Sequence, residues 1–432
     1  MTQPAAQSDQ KPTRTVKVNY LSRVEGEGGL YVRVERGEIR EVKVNIFEPP
    51  RLFEAFLRGR HFQEVPDITA RICGICPVAY QMSSVHALEA ALGVTITPEI
   101  RLLRRLLYCG EWMESHALHI YLLQAPDFLG YPNAIAMAGD HPAEAGRGLR
   151  LKKIGNALLE LMGGRATHPV SVCVGGFYRA PRRADLLAFR DDFKWGLEAS
   201  LETARWVSRF KLPDFAPDYE MVSVSHPDEF PMNEGRIVSS KGVDVSVSEF
   251  EKAFIEEQAQ HSTALHSRSA RSGASYFVGP LARVNLNFEK LSPLARQAAR
   301  ESGIAWPCRN PYAGVVARAV EMVHAFEEAL SILDRYAEPP QSRVEIQVRA
   351  GEGCGATEAP RGTLYHRYKI NDRGLVEFAK IVPPTAQNYL RMEDDLRLLL
   401  PGVLDRPDEE IARLCENLVR CYDPCISCST HF

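Results

Sequence analysis

Two Cys-x-x-Cys pairs stand near opposite ends of the chain. One is Cys73-Gly74-Ile75-Cys76; the other is Cys425-Ile426-Ser427-Cys428, with His431 three residues on. An x₂ spacing lets both sulfurs of a pair turn toward one metal, because the two residues between them form a tight turn. Four thiolates are soft donors that favour later transition metals, and they bring four negative charges to one place. Two of them can each bridge a pair of metals while two bind terminally. The alternative is a structural zinc site, but ordinary zinc ribbons separate their pairs by about 15–20 residues. Here almost the whole chain lies between them. A centre that closes only when both chain ends meet suits a catalytic metal site in an otherwise complete fold. The other cysteines (Cys109, Cys173, Cys308, Cys354, Cys415 and Cys421) form no pair at this spacing and read as small buried hydrophobes.

The elements that must position these pairs follow from hydrophobic period. Over residues 16–47 apolar and polar residues alternate (Val16, Val18; Leu30, Val32, Val34; Val42, Val44, Ile46), punctuated by glycines, which predicts a β-meander. From Pro98 to about Met162 the spacing is helical, with interruptions near Pro126 and Pro132, and it is helical again from Arg183 to about Arg209. Residues 217–247 read as strand-rich. Helices are expected over 248–272, 289–303 and 309–336, and then a strand at Val344–Val348 leading into the glycine-rich segment 351–362. The fold class is α+β and mainly helical: a central bundle of long helices with small peripheral sheets. A flexible tail at 1–15 precedes one large unit, 16–432. That unit has a β-rich part (16–47), a bundle core (98–210) and a site-completing part (340–432).

Composition narrows the function further. Hydrophobic residues at 45% and charged residues at 25% exclude wholesale disorder. With 52 basic and 55 acidic residues the net charge is −3, and no long basic run occurs, which argues against nucleic acid or an anionic membrane as partner. No apolar run is long enough to span a bilayer. Met1–Lys17 is polar, without the apolar stretch of a secretory signal, so a cytoplasmic location is expected. There, paired cysteines mean metal or redox chemistry more often than disulfides. Gly351-x-Gly353-x-x-Ala356 superficially fits a dinucleotide fingerprint, but Glu358-Ala359-Pro360 follows it instead of an amphipathic helix.

Arg71–Cys76 together with Asp423–His431 resembles the signature pair of the nickel–iron hydrogenase large subunit. Other segments agree in order along the chain. Ser22-Arg23-Val24-Glu25-Gly26 resembles the family's Arg-x-Glu-Gly element, and Arg51-Leu52-Phe53-Glu54 through Gly59-Arg60 the acidic helix after it. His168-Pro169, leading to Gly175-Gly176, resembles an internal His-Pro and Gly-Gly segment. Glu358-Ala359-Pro360-Arg361-Gly362 resembles the Ala-Pro-Arg-Gly loop, and Val382-Pro383-Pro384-Thr385 the stretch after that. The likeness runs from about residue 20 to the last residue.

The resemblance implies the large-subunit fold and a binuclear centre for reversible heterolysis of dihydrogen. Cys73 and Cys425 would be terminal nickel ligands; Cys76 and Cys428 would bridge nickel to an iron that carries carbon monoxide and cyanide. Cys425 would be the first proton acceptor and Glu25 its relay. Arg361, set by Pro360, would face the cyanides or the open metal position, with Asp423 orienting it and Thr385 donating to the other cyanide. Glu54 and His431 would ligate a magnesium or an iron, directly or through water. Two departures from the pattern, Tyr80 in place of a histidine and Ser115 in place of an acid, resemble the soluble branch linked to NAD or NADP. Implied partners are an iron–sulfur small subunit, diaphorase subunits carrying flavin and iron–sulfur clusters, and maturation proteins. Rival readings are a dihydrogen sensor with the same metals, a deazaflavin-linked hydrogenase, and a relative that has lost its metal. Only Phe432 follows His431, which fits either a processed end or maturation without cleavage.

Overall fold

The computed structural model describes residues 13–432, so the expected tail falls largely outside the described residues. Its boundary moves, because strand β1 (Arg14–Val18) already begins at Arg14. The guanidinium of Arg14 explains this: it donates to Asp408 at 2.5 Å and to the carbonyls of Leu404 and Arg406 at 2.7 and 2.6 Å. β1 pairs with β2 (Gly28–Glu35), and β2 with β3 (Glu38–Ile46), all antiparallel. The predicted alternation sets the register: Val16, Val32 and Val42 form one buried row, and half-buried Val18 with buried Leu30 and Val44 another.

The helices that position the site are, in chain order, α1 (Phe53–Leu57), α2 (Pro77–Leu92), α3 (Pro98–Leu118), α4 (Pro142–Gly163), α5 (Arg190–Val207), α6 (Pro280–Asn287), α7 (Gly314–Arg335), α8 (Pro384–Leu399), α9 (Asp408–Cys421) and α10 (Ile426–Ser429). The bundle is built from α3, which packs on α4 and α7, and from α7, which also packs on α5. α3 starts at a Thr97 cap that accepts from the Ile100 amide, with Pro98 in its first turn. It continues through a wide turn at His119–Gln124 toward Pro126, where the sequence predicts a break. Close approach of α3 and α4 depends on Gly155, whose added Cβ would lie 2.6 Å from the Gly110 carbonyl. The molecule is therefore the expected α+β fold, a long-helix bundle with small sheets at its margins. Among the described residues no helix is long and apolar enough to cross a membrane.

Two elements differ from expectation. Residues 248–272 are not one helix: after a short helical turn they form the antiparallel hairpin β4 (Phe254–Gln258) and β5 (Leu265–Ser269). Their Glu- and Gln-rich composition favours helix, but pairing and packing against α8 override it. Val344–Val348 forms no strand. It is extended chain clasped to the Gly175–Gly176 turn by Val344 N–H to the Gly175 carbonyl at 3.0 Å, and the positive φ of both glycines bends the backbone away after a single bridge.

The glycine-rich segment opens as a strand. β6 (Gly351–Ala359), β7 (Gly362–Ile370) and β8 (Val376–Val382) form an antiparallel sheet, and α2 lies directly on β6. Gly351, Gly353 and Gly355 point at that helix. A Cβ at Gly355 would lie 2.5 Å from the Ser83 carbonyl, and one at Gly351 or Gly353 would meet Ala91 or Ala87 backbone more closely still. The glycines that mimic a nucleotide fingerprint serve backbone-to-backbone packing.

Candidate metal centre

The two cysteine pairs meet. Cys73 and Cys425 place their sulfurs 3.6 Å apart, Cys76 and Cys428 3.8 Å, and Cys425 and Cys428 2.6 Å. The sulfurs of Cys73, Cys425 and Cys428 all lie within 4.8 Å of one another, with Cys76 against Cys428. All four are buried, and none is in a disulfide. Cys109, Cys173, Cys415 and Cys421 are also buried, each apart from a partner cysteine; Cys308 and Cys354 are half-buried.

Each pair is presented by a different device. The first sits where the chain enters α2. The Cys73 sulfur accepts from the Ile75 and Cys76 amides at 3.3 and 3.2 Å, and Cys76 leads into Pro77 at the first turn of α2. The Val78 and Ala79 amides of that turn donate to the Glu111 carboxylate of α3 at 2.6 and 3.0 Å. From outside, His168 holds the approach, with Nδ1 3.0 Å from the Ala70 carbonyl, and Pro169 accepts from the Gln81 amide at 2.6 Å.

The second pair is held by straps from distant parts of the chain. Glu25 pairs with Cys425 through an isolated parallel bridge, in which Ile426 N–H donates to the Glu25 carbonyl at 2.9 Å. The Glu25 carboxylate then lies 3.0 Å from the Cys425 sulfur, while Ser427 donates to it from its amide at 3.1 Å and its hydroxyl at 2.6 Å. The neighbouring Gly26 has φ +89°, and a Cβ there would fall 2.6 Å from the Ile426 Cβ, so glycine is required for the approach. Thr385, in the first turn of α8, accepts the Cys425 amide at 3.1 Å, which leaves its own hydroxyl proton uncommitted.

Arg361 sits in the tight turn between β6 and β7. Its Nε donates to the Asp423 carbonyl at 2.7 Å and an Nη to the Asp423 carboxylate at 3.1 Å. Its Nη1 and the second Asp423 oxygen are buried without partners. Burial opposes the charge on Arg361, but Asp423 and the neighbouring cysteines outweigh it and hold its pKa well above the ordinary value. Pro360 contributes its carbonyl, which accepts from Arg283 at 3.0 Å. At the C-terminus His431 lies between two carbonyls, Nδ1 2.7 Å from Cys428 and Nε2 2.7 Å from Ile381. Glu54 of α1 approaches His431 Nε2 to 3.5 Å and accepts the Ile381 amide at 2.8 Å. The residues the sequence singled out thus fall into two neighbouring groups: one around the sulfurs (Glu25, Arg361, Asp423, Thr385) and one behind Cys428 (Glu54, His431).

Sequence reasoning passed over two arginines that hold the site together. One Nη of Arg51 donates to the carbonyls of both Ile72 and Ser427, clamping one cysteine motif to the other, and residues 51–53 run hydrogen-bonded along 430–432. Arg283 of α6 is fully buried. It grips Glu321 at 2.7 and 2.8 Å, Glu358 at 2.9 Å and the Ala359 and Pro360 carbonyls, so it fixes the turn carrying Arg361. Burial opposes ionisation of Glu321, but Arg283 prevails and pulls its pKa down to about 2. His116 closes this network at 2.9 Å from Glu321. A lone Arg in a short helix carries no motif signal, which is why spacing could not find it.

The donor set fits a soft metal pair. Burial pushes the Cys425 and Cys428 thiols above their ordinary range. Burial also opposes ionisation of Cys73, yet hydrogen bonds from its neighbouring thiols and the Arg361 charge hold its pKa well below normal. Four thiolates in so dry a space require cationic metal to balance them. The unpartnered Arg361 Nη1, and the Tyr80 hydroxyl buried without a partner, are donors suited to anionic ligands on such a metal.

Comparison with known proteins gives a single picture. Residues 51–147 and 259–431 match the nickel-dependent hydrogenase family. The chain is 32% identical over 422 residues to sulfhydrogenase 1 subunit alpha of Pyrococcus furiosus, covering 96% of this chain and 97% of that protein. It is 26% identical over 471 residues to the NAD-reducing hydrogenase HoxS subunit beta of Cupriavidus necator, covering 97% and 95%. A crystal structure of an NAD+-reducing [NiFe]-hydrogenase in the H2-reduced state superposes with a TM-score of 0.83 at 27% identity, over 98% of this chain and 100% of that one.

Proposed function

This chain belongs to the nickel-dependent hydrogenase family as a catalytic large subunit, and from that premise we propose that it serves a cytoplasmic enzyme passing electrons between dihydrogen and NAD or NADP. The observation that carries this reading is the sulfur cluster with a carboxylate against it: three thiols within 4.8 Å, and Glu25 3.0 Å from one of them. Cys73 and Cys425 would bind nickel terminally, and Cys76 and Cys428 would bridge it to an iron bearing carbon monoxide and cyanide. When bound, the metal pair supplies the polarisation that splits dihydrogen heterolytically.

The chain's own residues do the rest. The Cys425 sulfur would take the proton first, and Glu25 is within hydrogen-bond reach to accept it. Ser427 holds the Glu25 carboxylate in place by two bonds. Asp423 fixes two donors of Arg361, so the remaining Nη1 is oriented without reorganisation for an anionic ligand or the open position. Thr385 has a free hydroxyl proton for a second cyanide. Glu54 and the Ile381 carbonyl offer oxygen donors, and His431 an imidazole nitrogen, for a magnesium or an iron behind Cys428.

Residues 16–432 would act as one catalytic unit. With no further Cys-x-x-Cys pair in the sequence, electrons must leave through an iron–sulfur small subunit. Flavin-bearing diaphorase subunits would complete the path to the nucleotide, and maturation proteins would load the metals. The NAD-reducing HoxS relative and the Tyr80 and Ser115 departures support this acceptor, and the sulfhydrogenase relative makes sulfur the second reading. Metal analysis of the purified protein should give one nickel and one iron per chain, with infrared bands of diatomic ligands. Stoichiometric zinc without such bands would sink the metal assignment. Dihydrogen-dependent reduction of dyes but of neither nucleotide, in the intact complex, would remove the acceptor.

A further inference from the structure

A further cluster of ligand-type side chains lies outside both the sulfur site and the Glu54–His431 pair. His261, in the β4–β5 connection, His266, in β5, and Glu393, in α8, each offer a donor atom, and the three atoms lie within 4.8 Å of one another. The spacing His261-x₄-His266 falls in the range by which two imidazoles reach one zinc. We propose that this is a metal site for a zinc-class divalent cation, bound by two imidazoles and one carboxylate and distinct from the centre made by the cysteines.

Four observations support it. His266 is 3% exposed and its Nε2 is buried with no hydrogen-bond partner, an imidazole nitrogen left with nothing to do among protein groups alone. The rings of His261 and His266 stand 5.5 Å apart, nearly perpendicular, as two imidazoles converging on a common point do. Glu393 is already braced, as ligating carboxylates are: its Oε1 accepts the Val44 amide at 2.9 Å. His261 keeps 23% of its side chain exposed, which gives an entering ion a path.

Without the cation, His261 Nε2 closes on Glu393 at 2.6 Å. A tetrahedral ion needs about 3.3 Å between neighbouring donors, given bonds of about 2.0 Å, so a small rotation of His261 admits it. Positive charge is not an obstacle. Arg397 reaches Glu393 at 3.4 Å, but it bonds Asp394 at 2.9 Å and the Val42 carbonyl at 3.0 Å. The cation would tie the β4–β5 hairpin to α8 and β3. It would also brace the second cysteine motif from behind, because His266 packs at 5.6 Å on Tyr389, whose hydroxyl bonds Ser429 at 2.8 Å.

The test uses the purified complex with its metal centre intact, washed with chelator and then titrated with zinc. One zinc per chain beyond the metals of the cysteine site should bind. X-ray absorption at the zinc edge should show imidazole nitrogen and oxygen neighbours without sulfur. His266→Gln, at unchanged nickel content, should weaken binding at least tenfold and abolish the rise in thermal midpoint that zinc gives the wild type. No uptake, sulfur in the zinc shell, or equal affinity in His266→Gln overturns the proposal. Should His266→Gln not fold, the imidazole count in the wild-type zinc shell decides: two imidazoles support the site, and one, as the Glu54–His431 pair would give, overturns it.

Discussion

The two cysteine pairs share a spacing but not a means of support. Cys73 and Cys76 are held by packing: their helix lies on three glycines of β6, and Glu111 takes the first amides of α2. Cys425 and Cys428 are held by hydrogen bonds from distant segments: Glu25 and Arg51 from the N-terminal part, Arg361 from a hairpin turn, Thr385 from α8. Packing of this kind yields only to gross displacement. Hydrogen-bonded straps across chain ends can open locally at modest cost, because each is worth about 1 kcal/mol net. One half of the centre is therefore a fixed floor. The other half is a closure that doubles as the chemistry, since Glu25 both straps it and lies against a sulfur.

That contrast is sharpest at Glu25, where the largest effect is expected. Glu25→Gln keeps the shape and can keep bonds to Ser427, but an amide cannot accept a proton. Dihydrogen/deuterium exchange should fall about 10²–10⁴-fold while nickel content and thermal midpoint stay near wild type. Near-normal exchange in the metal-loaded variant would make Glu25 a strap alone. Arg361→Lys comes next. A single ammonium nitrogen cannot reproduce the planar spread of Nε and two Nη atoms that reaches the Asp423 carbonyl, its carboxylate and the site at once, so activity should drop about 10²–10³-fold. Full activity in that variant would reduce Arg361 to a structural pin for Asp423.

The two cysteine pairs stood out by residue type and local spacing, whereas Glu25, Arg361, Asp423 and His431 were singled out only because their segments resemble the family's; the structure brings all of them beside the sulfurs or behind Cys428. The long amphipathic helices of the bundle were legible from period. What escaped were features that exist only in three dimensions. α2 is buried on nearly every side, so its sequence shows no polar face from which a helix could be read. Gly351 and Gly353 stood out only as a false dinucleotide fingerprint, and only the helix lying on the strand shows why glycine is needed there. The hairpin at 254–269 has a helix-forming composition that tertiary pairing overrides. Arg51 and Arg283 act across the chain on backbone carbonyls, which have no sequence signature at all.

The glycine floor gives the third prediction. In Gly353→Ala the new methyl would enter the space occupied by the Ala87 carbonyl, so α2 must lift from β6 and take Cys76 with it. Overpacking against backbone should cost about 3 kcal/mol, read as a lower thermal midpoint together with reduced nickel content. A variant that loses nickel without losing stability would show that the first pair, too, is held by something softer than packing.

The smallest effect tests the closure at a single strap. Thr385 accepts the Cys425 amide, and its side chain is buried. Thr385→Val preserves volume and removes the acceptor, so one buried N–H beside the second cysteine pair loses its partner, at about 1 kcal/mol. Thr385→Ser keeps the acceptor and should cost less. If the hydroxyl only straps, Val should lower the thermal midpoint slightly and Ser should restore it, with the infrared bands of the iron ligands unmoved in both. If the hydroxyl also donates into the site, Val should shift a cyanide band and Ser should return it, because a lost hydrogen bond changes the field at the ligand whether or not the loop moves. The two variants thus separate support from chemistry at the position where the strap is weakest, and a shifted band in Val with an unchanged midpoint would place Thr385 wholly on the chemical side.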